Sequence, residues 1–236
     1  MKKSLKKITA AISAAVMCAL PMAGSLTANA ASKTKTFRTY ITIKAGNKDL
    51  YEFEYDRVFK AAYKNNITFK GYKAVVPESE FDHTVPQTGR SCLFIDSEQL
   101  KQFNGLAAIE TYDTANSSVT ASNFKNTFTK TIWAFSDYRQ GHFDYWEDFD
   151  QNVLEDIVLV GDANNTGAVD VSDAVLIRQY AVGNYSGISN IHRFLKAADV
   201  DGNGYVNDYD ANLVLKYNVS LINSFSEKQV GFSMGR

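Results

Sequence analysis

Two stretches near the C-terminus decide the reading of this chain. The first is Asp162-Ala163-Asn164-Asn165-Thr166-Gly167-Ala168-Val169-Asp170-Val171-Ser172-Asp173. The second is Asp199-Val200-Asp201-Gly202-Asn203-Gly204-Tyr205-Val206-Asn207-Asp208-Tyr209-Asp210. Aligned on their first aspartate, both carry oxygen-bearing side chains at positions 1, 3, 5, 9 and 12, glycine at 6 and valine at 8. A hard divalent cation such as calcium takes roughly six to eight oxygens at about 2.3–2.6 Å, so a short loop that binds it must turn several oxygens inward. The glycine permits the sharp turn at a backbone angle other residues resist. The valine at position 8 points away from the metal and pairs the two loops.

This is the ligand spacing of an EF-hand loop, with the carbonyl of position 7 completing the set. It assigns one ion to Asp162, Asn164, Thr166, Asp170 and Asp173 with the Ala168 carbonyl. A second ion falls to Asp199, Asp201, Asn203, Asn207 and Asp210 with the Tyr205 carbonyl. Thr166 offers a hydroxyl where Asp or Asn is usual, so the first site is expected to be the weaker. Carboxylates crowded into such loops repel one another without metal, so calcium should couple to folding. The repeat continues beyond the loops, Ala174–Tyr180 aligning with Ala211–Tyr217. Apolar residues at helical spacing in both copies imply two amphipathic helices around a shared small core. Two features depart from a regular EF-hand. Position 12 is Asp instead of Glu, and the β-branched run Ile157–Val160 stands where an entering helix would be.

Gly161-Asp162 through Asp173 with its helix, then Lys196-Ala197-Ala198-Asp199 through Asp210 with its helix, closely resembles a type I dockerin over about residues 160–225. The resemblance implies two calcium-bound loop–helix units around a connecting helix near 189–196, two Ca2+ as cofactors, and a cohesin module of a scaffoldin as partner. It also implies a place in an extracellular, cellulosome-type assembly. Recognition positions of the family map onto Val171 and Ser172, and onto Asp208 and Tyr209. Helix positions that assist them map onto Arg178, Gln179, Leu215 and Lys216. The two copies differ at these positions, which tells against symmetric, two-way docking. The alternative is a calcium staple with no cohesin partner, since a module this small without a disulfide needs one anyway.

At the other end, Lys2, Lys3, Lys6 and Lys7 precede an apolar stretch, Ile8 to Leu20. Pro21 and Ala28-Asn29-Ala30 follow. A charged n-region, a short apolar core and a small-x-small site read as a secretory signal over residues 1–30. The apolar stretch is shorter than the roughly 20 residues a membrane span needs, so no span is expected after cleavage. Cys18 leaves with the signal and Cys92 remains alone, so no intramolecular disulfide can form. The chain of 236 residues is 45% hydrophobic and 22% charged with net charge −1. That composition suits a folded protein and gives no reason to expect a nucleic-acid partner.

Residues 31–156 read as an α+β module of unassigned activity, followed by an all-α module at 157–226 with its two loop–helix repeats and a tail at 227–236. Phe37, Thr39, Ile41 and Ile43 alternate as a strand. Tyr51, Tyr55, Val58, Phe59 and Ala62 predict one face of a helix over Leu50–Lys64, with Asp49 as N-cap. Further strands are expected at Ile67–Val76, Ser91–Ile95, Ala107–Tyr112 and Thr131–Phe135, with a short helix at Ser97–Phe103. Long all-β alternation with turn glycines is not apparent, which argues against a cohesin here.

No catalytic constellation stands out. A glycosidase needs two carboxylates flanking a bond. Glu78, Glu80 and Asp82 form one acidic group, while Asp144, Glu147, Asp148 and Asp150 form another at helical spacing, and solvated faces explain both. A thiol mechanism would use Cys92, His142 and Asp144, but Cys92 lies in a strand-like run, whereas activated thiols favour helix N-termini. His83 and His142 lack metal-ligand spacing, and His192 falls on the connecting helix. The stretch from Trp133 to Phe149 is rich in aromatic residues, including Tyr138, Tyr145 and Trp146. Aromatic rings stack on apolar ring faces. Together with the resemblance, this makes plant cell-wall polysaccharide the leading ligand of the first module. A docked hydrolase and a protein-interaction component without a glycan role are the alternatives.

Overall fold

Alternation of side chains every second residue builds the N-terminal module, and the computed structural model describes it through residues 33–44, 50–75, 90–96, 102–136, 146–148 and 153–159; it continues unbroken to 230. The strands are β1 (Lys35–Ile43), β2 (Leu50–Phe59), β3 (Ile67–Ala74), β4 (Arg90–Asp96), β5 (Leu106–Thr114), β6 (Phe128–Ser136), β7 (Trp146–Asp148) and β8 (Val153–Leu159). They form two four-stranded sheets, ordered β3-β5-β1-β8 (sheet A) and β4-β2-β6-β7 (sheet B), and every pairing is antiparallel. Phe37, Tyr112 and Leu159 of sheet A share a buried core with Phe128 of sheet B. Phe124, in the 3-10 turn Phe124–Asn126, packs there within 5.8 Å of the Phe128 ring centroid.

Among the described residues the module is a β-sandwich, and a strand stands where the helix over Leu50–Lys64 was expected. The error lies in β2. Its aromatic residues fall at Tyr51, Phe53, Tyr55 and Phe59, a strict period of two, and aromatic and β-branched residues favour strands. The helical face inferred from Tyr51, Tyr55, Val58 and Phe59 merges both faces of that strand: Val58 is 54% exposed, whereas Phe59 packs against Tyr112 and Phe124. Helix-like turns occur only after the strand, where the Lys60 carbonyl accepts from the amides of Tyr63 and Lys64. The strands expected at 37–43, 67–76, 91–95, 107–112 and 131–135 each fall on a strand of the structure. Glu147 and Asp148, read at helical spacing, lie on strand β7. Of the short helix expected at Ser97–Phe103, residues 97–101 lie outside the described residues, as do the leader at 1–30 and Asp49.

Three helices follow: α1 (Val171–Ala181), α2 (Ile191–Ala198) and α3 (Asp208–Asn218). Leu176 and Ile177 of α1, Phe194 of α2, and Leu213, Val214 and Tyr217 of α3 close a second core with Val160, Val200 and Phe225. The helix near 189–196 expected to connect the repeats is α2.

The two modules share a strand and a face. β8 runs to Leu159, so the boundary placed between 156 and 157 falls inside it. β1, between β5 and β8, is buried on both sides. Phe37 turns to the sandwich core, while Tyr40 packs with Val158 against Ala197 of α2 and donates to the Lys196 carbonyl at 3.2 Å. Gly161, at φ +89°, begins the second module. A Cβ there would meet the Phe225 ring at 2.9 Å and Val169 at 3.0 Å, so the chain can pass only as glycine. After α3 the chain returns to sheet A. Ser224 and Ser226 donate to the buried Asp113 carboxylate at 2.6 Å each, beside the Thr36 hydroxyl at 2.8 Å. The tail placed from 227 stays attached at its start, Gln229 accepting from the Thr111 hydroxyl at 3.0 Å.

Candidate metal centre and docking face

Each loop is wound by its own aspartates accepting backbone amides, which turns the carboxylates inward. In the second loop, Asp210 Oδ1 accepts from the amides of Val200 (2.8 Å) and Asp201 (3.2 Å), and its Oδ2 accepts from Asn207 (2.9 Å). Asp199 Oδ2 accepts from the Gly204 amide, Asp201 Oδ1 from Asn203, and Asn203 Oδ1 from Tyr205. Ligand oxygens of Asp199, Asp201 and Asp210 lie within 4.8 Å of one another. The other Asp199 oxygen, Oδ1, is buried and accepts no hydrogen bond. An orphaned buried carboxylate oxygen facing two further carboxylates suits a hard cation that prefers oxygen. Asn203 and Asn207 lie in the same loop, and the Tyr205 carbonyl is at its turn.

The first loop repeats the winding. Asp162 accepts from the Thr166 and Gly167 amides at 2.9 and 3.0 Å, and Asp173 from those of Asn164 and Asp170 at 3.0 and 2.8 Å. Thr166 Oγ1 is 3.5 Å from the Ala168 carbonyl, so these two oxygens sit together at the loop's turn. Asp170 and Asn207, at position 9, also cap α1 and α3, with Asp173 and Asp210 reaching back to the cap amides. This reciprocal box is written in the spacing Asp-x-x-Asp and Asn-x-x-Asp, a signal the metal reading had absorbed.

Burial raises the carboxyls of Asp173 and Asp210 to about 6, and those of Asp162 and Asp199 shift upward for the same reason. Asp170 goes the other way, held down by the Ser172 hydroxyl and amide that donate to it. Calcium takes only the ionised form. At pH 5 a carboxyl titrating near 6 is mostly protonated, so calcium should bind each loop about tenfold more weakly there than at pH 7.5. The calcium-free fold should respond in the opposite sense. A folded-state value above the unfolded one contributes stability that is present below about pH 4 and lost as pH rises through 6. Calorimetric titration and urea midpoints at the two pH values check both directions.

The positions mapped as cohesin contacts lie along α1 and α3. Val171, Ser172, Arg178, Asp208, Tyr209 and Lys216 are exposed, whereas Gln179 and Leu215 are half-buried and Leu215 packs partly on the core. Arg178 donates to Asn212 across the two helices at 2.9 Å. Val175, Val182 (80% exposed), Val219 and Leu221 (72%) extend this surface with apolar side chains that the loop-centred reading overlooked. The available signal was the helical spacing of Val171, Val175, Arg178 and Val182, whereas Val219 and Leu221 lie beyond the end of α3.

Among the catalytic candidates, Glu78, Glu80, Asp82, His83, His142, Asp144 and Asp150 lie outside the described residues. Cys92 is on β4, and His192 is exposed on α2. Within the sandwich, Glu110 and Glu155 approach each other, but Arg57 binds both at 2.6 Å.

Residues 160–217 match the family model of the dockerin type I domain. This segment is a type I dockerin. Among curated proteins, none matches the chain. Among solved structures, the chain is similar to one from a complex of the third cohesin of ScaC with a ScaB dockerin mutated in its C-terminal helix, from Acetivibrio cellulolyticus, described as displaying a type I interaction. The match is 38% identical, covers 30% of this chain and 97% of that chain, and has a TM-score of 0.28. The dockerin thus takes up the C-terminal part of the chain, and the β-sandwich stands before it. Among the described residues, no helix is long and apolar enough to cross a membrane.

Proposed function

We propose that the protein is a secreted, cellulosome-type component whose dockerin, loaded with two calcium ions, plugs into a cohesin of a scaffoldin. The observation that carries this is the dockerin match together with the exposed apolar side chains on α1 and α3 beside the two loops. Asp162, Asn164, Thr166, Asp170 and Asp173 with the Ala168 carbonyl would hold one ion. Asp199, Asp201, Asn203, Asn207 and Asp210 with the Tyr205 carbonyl would hold the other. Bound calcium supplies the positive charge that lets these carboxylates crowd together. The loops in turn fix the start of α1 and α3, and so the spacing of Val171, Ser172, Asp208 and Tyr209 for the partner.

For the sandwich we propose plant cell-wall polysaccharide as the ligand. The support is the register of sheet B. Phe94, Glu52, Phe135 and Trp146 occupy one row across its four strands. Cys92, Glu54, Trp133 and Asp148 occupy the row two residues along, and positions two apart share a face. On β2 this is the face of the exposed Val58, opposite to that of Arg57 and Phe59. Aromatic and carboxylate positions in neighbouring rows suit a sugar chain, with apolar ring faces to stack and hydroxyls to bond.

The test uses the full chain, because a cut at 156 would sever β8. Capture by an immobilised type I cohesin should be lost in EDTA and restored by calcium; capture that persists in EDTA would count against the docking reading. In parallel, retention on insoluble cellulose, xylan, mannan, pectin or starch should drop at least tenfold for Trp133→Ala with Trp146→Ala. Release of soluble sugar would instead make the module a hydrolase.

A further inference from the structure

We infer that Arg38, on β1 of the sandwich, is a positioning residue for the second calcium loop, and that through it calcium binding at that loop stabilises the β-sandwich. The inference rests on reading that loop as a calcium site. Arg38 is 1% exposed and lies on the face of sheet A turned to the dockerin. Its guanidinium donates through one terminal nitrogen to the Asp199 carbonyl and through the other to the Val200 carbonyl at 2.7 Å. The Asp201 carbonyl that follows accepts from the Val230 amide at 2.6 Å. Three consecutive carbonyls at the entry of the loop are thus held by donors from outside it. The carbonyls face the sheet and the returning tail, while the carboxylates of Asp199, Asp201 and Asp210 are left to gather on the inner side.

The first loop is closed differently. Its Asp162 carbonyl accepts from its own Asn165 amide at 3.4 Å. The coupling through buried donors on the loop's carbonyls should therefore belong to the second loop, whereas the first meets the sandwich core through Val169. Arg38 also has much to lose if that loop opens. A buried guanidinium deprived of its acceptors is strongly unfavourable, and this one sits on β1, the strand hydrogen-bonded to both β5 and β8. Loss of the second loop would loosen sheet A from within. By reciprocity, whatever holds the loop holds the sheet.

The chain supplies its own probes. Its two tryptophans, Trp133 and Trp146, both lie on sheet B, so their fluorescence follows the sandwich, whereas helical circular dichroism follows the dockerin. In the full-length protein, calcium at a hundred times its dissociation constant should raise the tryptophan-reported melting midpoint by about 5–10 °C. Asp201→Asn in the second loop should remove most of that rise, and Asp170→Asn in the first should remove clearly less of it. Arg38→Met should reduce the tryptophan-reported rise to less than about a third, while the helical signal still responds to calcium. If Arg38→Met fails to fold, Arg38→Lys, which keeps the charge but not the paired donors, should give an intermediate rise. A wild-type rise in the helical signal with none in the tryptophan signal would overturn the coupling and leave the calcium reading intact. No calcium response in either signal would overturn both. Arg38 variants with the full wild-type rise would remove Arg38 from the role.

Discussion

Asp210→Ala should abolish calcium binding at the second loop and leave the dockerin unfolded in calcium-free buffer. The carboxylate is fully buried and accepts three backbone amides, from Val200, Asp201 and Asn207. Alanine leaves all three donors without a partner. A buried donor left unpaired costs about 1–3 kcal/mol, so the two buried ones, Val200 and Asp201, should together cost about 2–6 kcal/mol before any metal is considered. That is a large part of the roughly 5–15 kcal/mol by which whole domains are stable. Asp210→Asn separates the two roles of the side chain. It keeps one oxygen for the Val200 and Asp201 amides, sets an amide group against the Asn207 N–H, and removes the charge calcium needs. The expected outcome is a smaller stability loss, about half that of alanine, with the same loss of calcium binding. Urea midpoints in EDTA and in calcium, followed by helical circular dichroism, check this. An alanine variant with the wild-type midpoint in EDTA would refute the account of Asp210 as the loop's winding post.

The contrast between the two modules shows what a sequence displays. The loops were legible because their constraint is local: ligand oxygens, turn glycine and helix cap lie within twelve consecutive residues, and the pattern occurs twice. The strands at β1, β3, β5 and β6 were legible from alternation. β2 was not, because Tyr51, Tyr55, Val58 and Phe59 satisfy helical spacing as well as they satisfy a strand. What decides between the two is the pairing of Tyr51 with Ile95 on β4 and Ser136 on β6, contacts from distant parts of the chain. Arg38 was hidden for a related reason. In an alternating strand, a polar residue between apolar ones reads as solvent-facing. Here the second face of sheet A is covered by the dockerin, so Arg38, Thr36 and Tyr40 are buried with hydrogen-bond partners. The boundary was misplaced because β8 belongs to the sheet while leading directly into the first loop, with no linker to mark the passage.

The same sandwich holds a second buried cation, and its removal should have the largest effect on the N-terminal module. Arg57 reaches from sheet B to bind Glu110 and Glu155 of sheet A at 2.6 Å each, with its guanidinium 4.0 Å from the Phe128 ring centroid. The Tyr112 hydroxyl donates to the same Glu110 oxygen at 2.9 Å, and Lys130 lies 3.5 Å from Glu155. Arg57→Met nearly preserves the volume and strips the positive charge from two buried carboxylates, a change that costs about 3–5 kcal/mol. Burial already pushes the Glu110 carboxyl above its ordinary range, and Arg57 opposes that push. Without Arg57 the carboxyl should rise further. Its folded value then lies well above its unfolded one, so its contribution to stability is present below about pH 4.3 and lost as pH rises through the folded value. The variant should therefore be closest to wild type in mild acid and fall away toward neutral pH. Adding Glu110→Gln to Arg57→Met should recover part of the loss at pH 7.5 and weaken the pH dependence, because one of the two carboxylates left without Arg57 is gone. Tryptophan-reported urea midpoints from pH 4.5 to 8 measure all three proteins. A loss for Arg57→Met that is the same at every pH would mean that the missing guanidinium is felt through packing between the sheets, and not through the charge of Glu110.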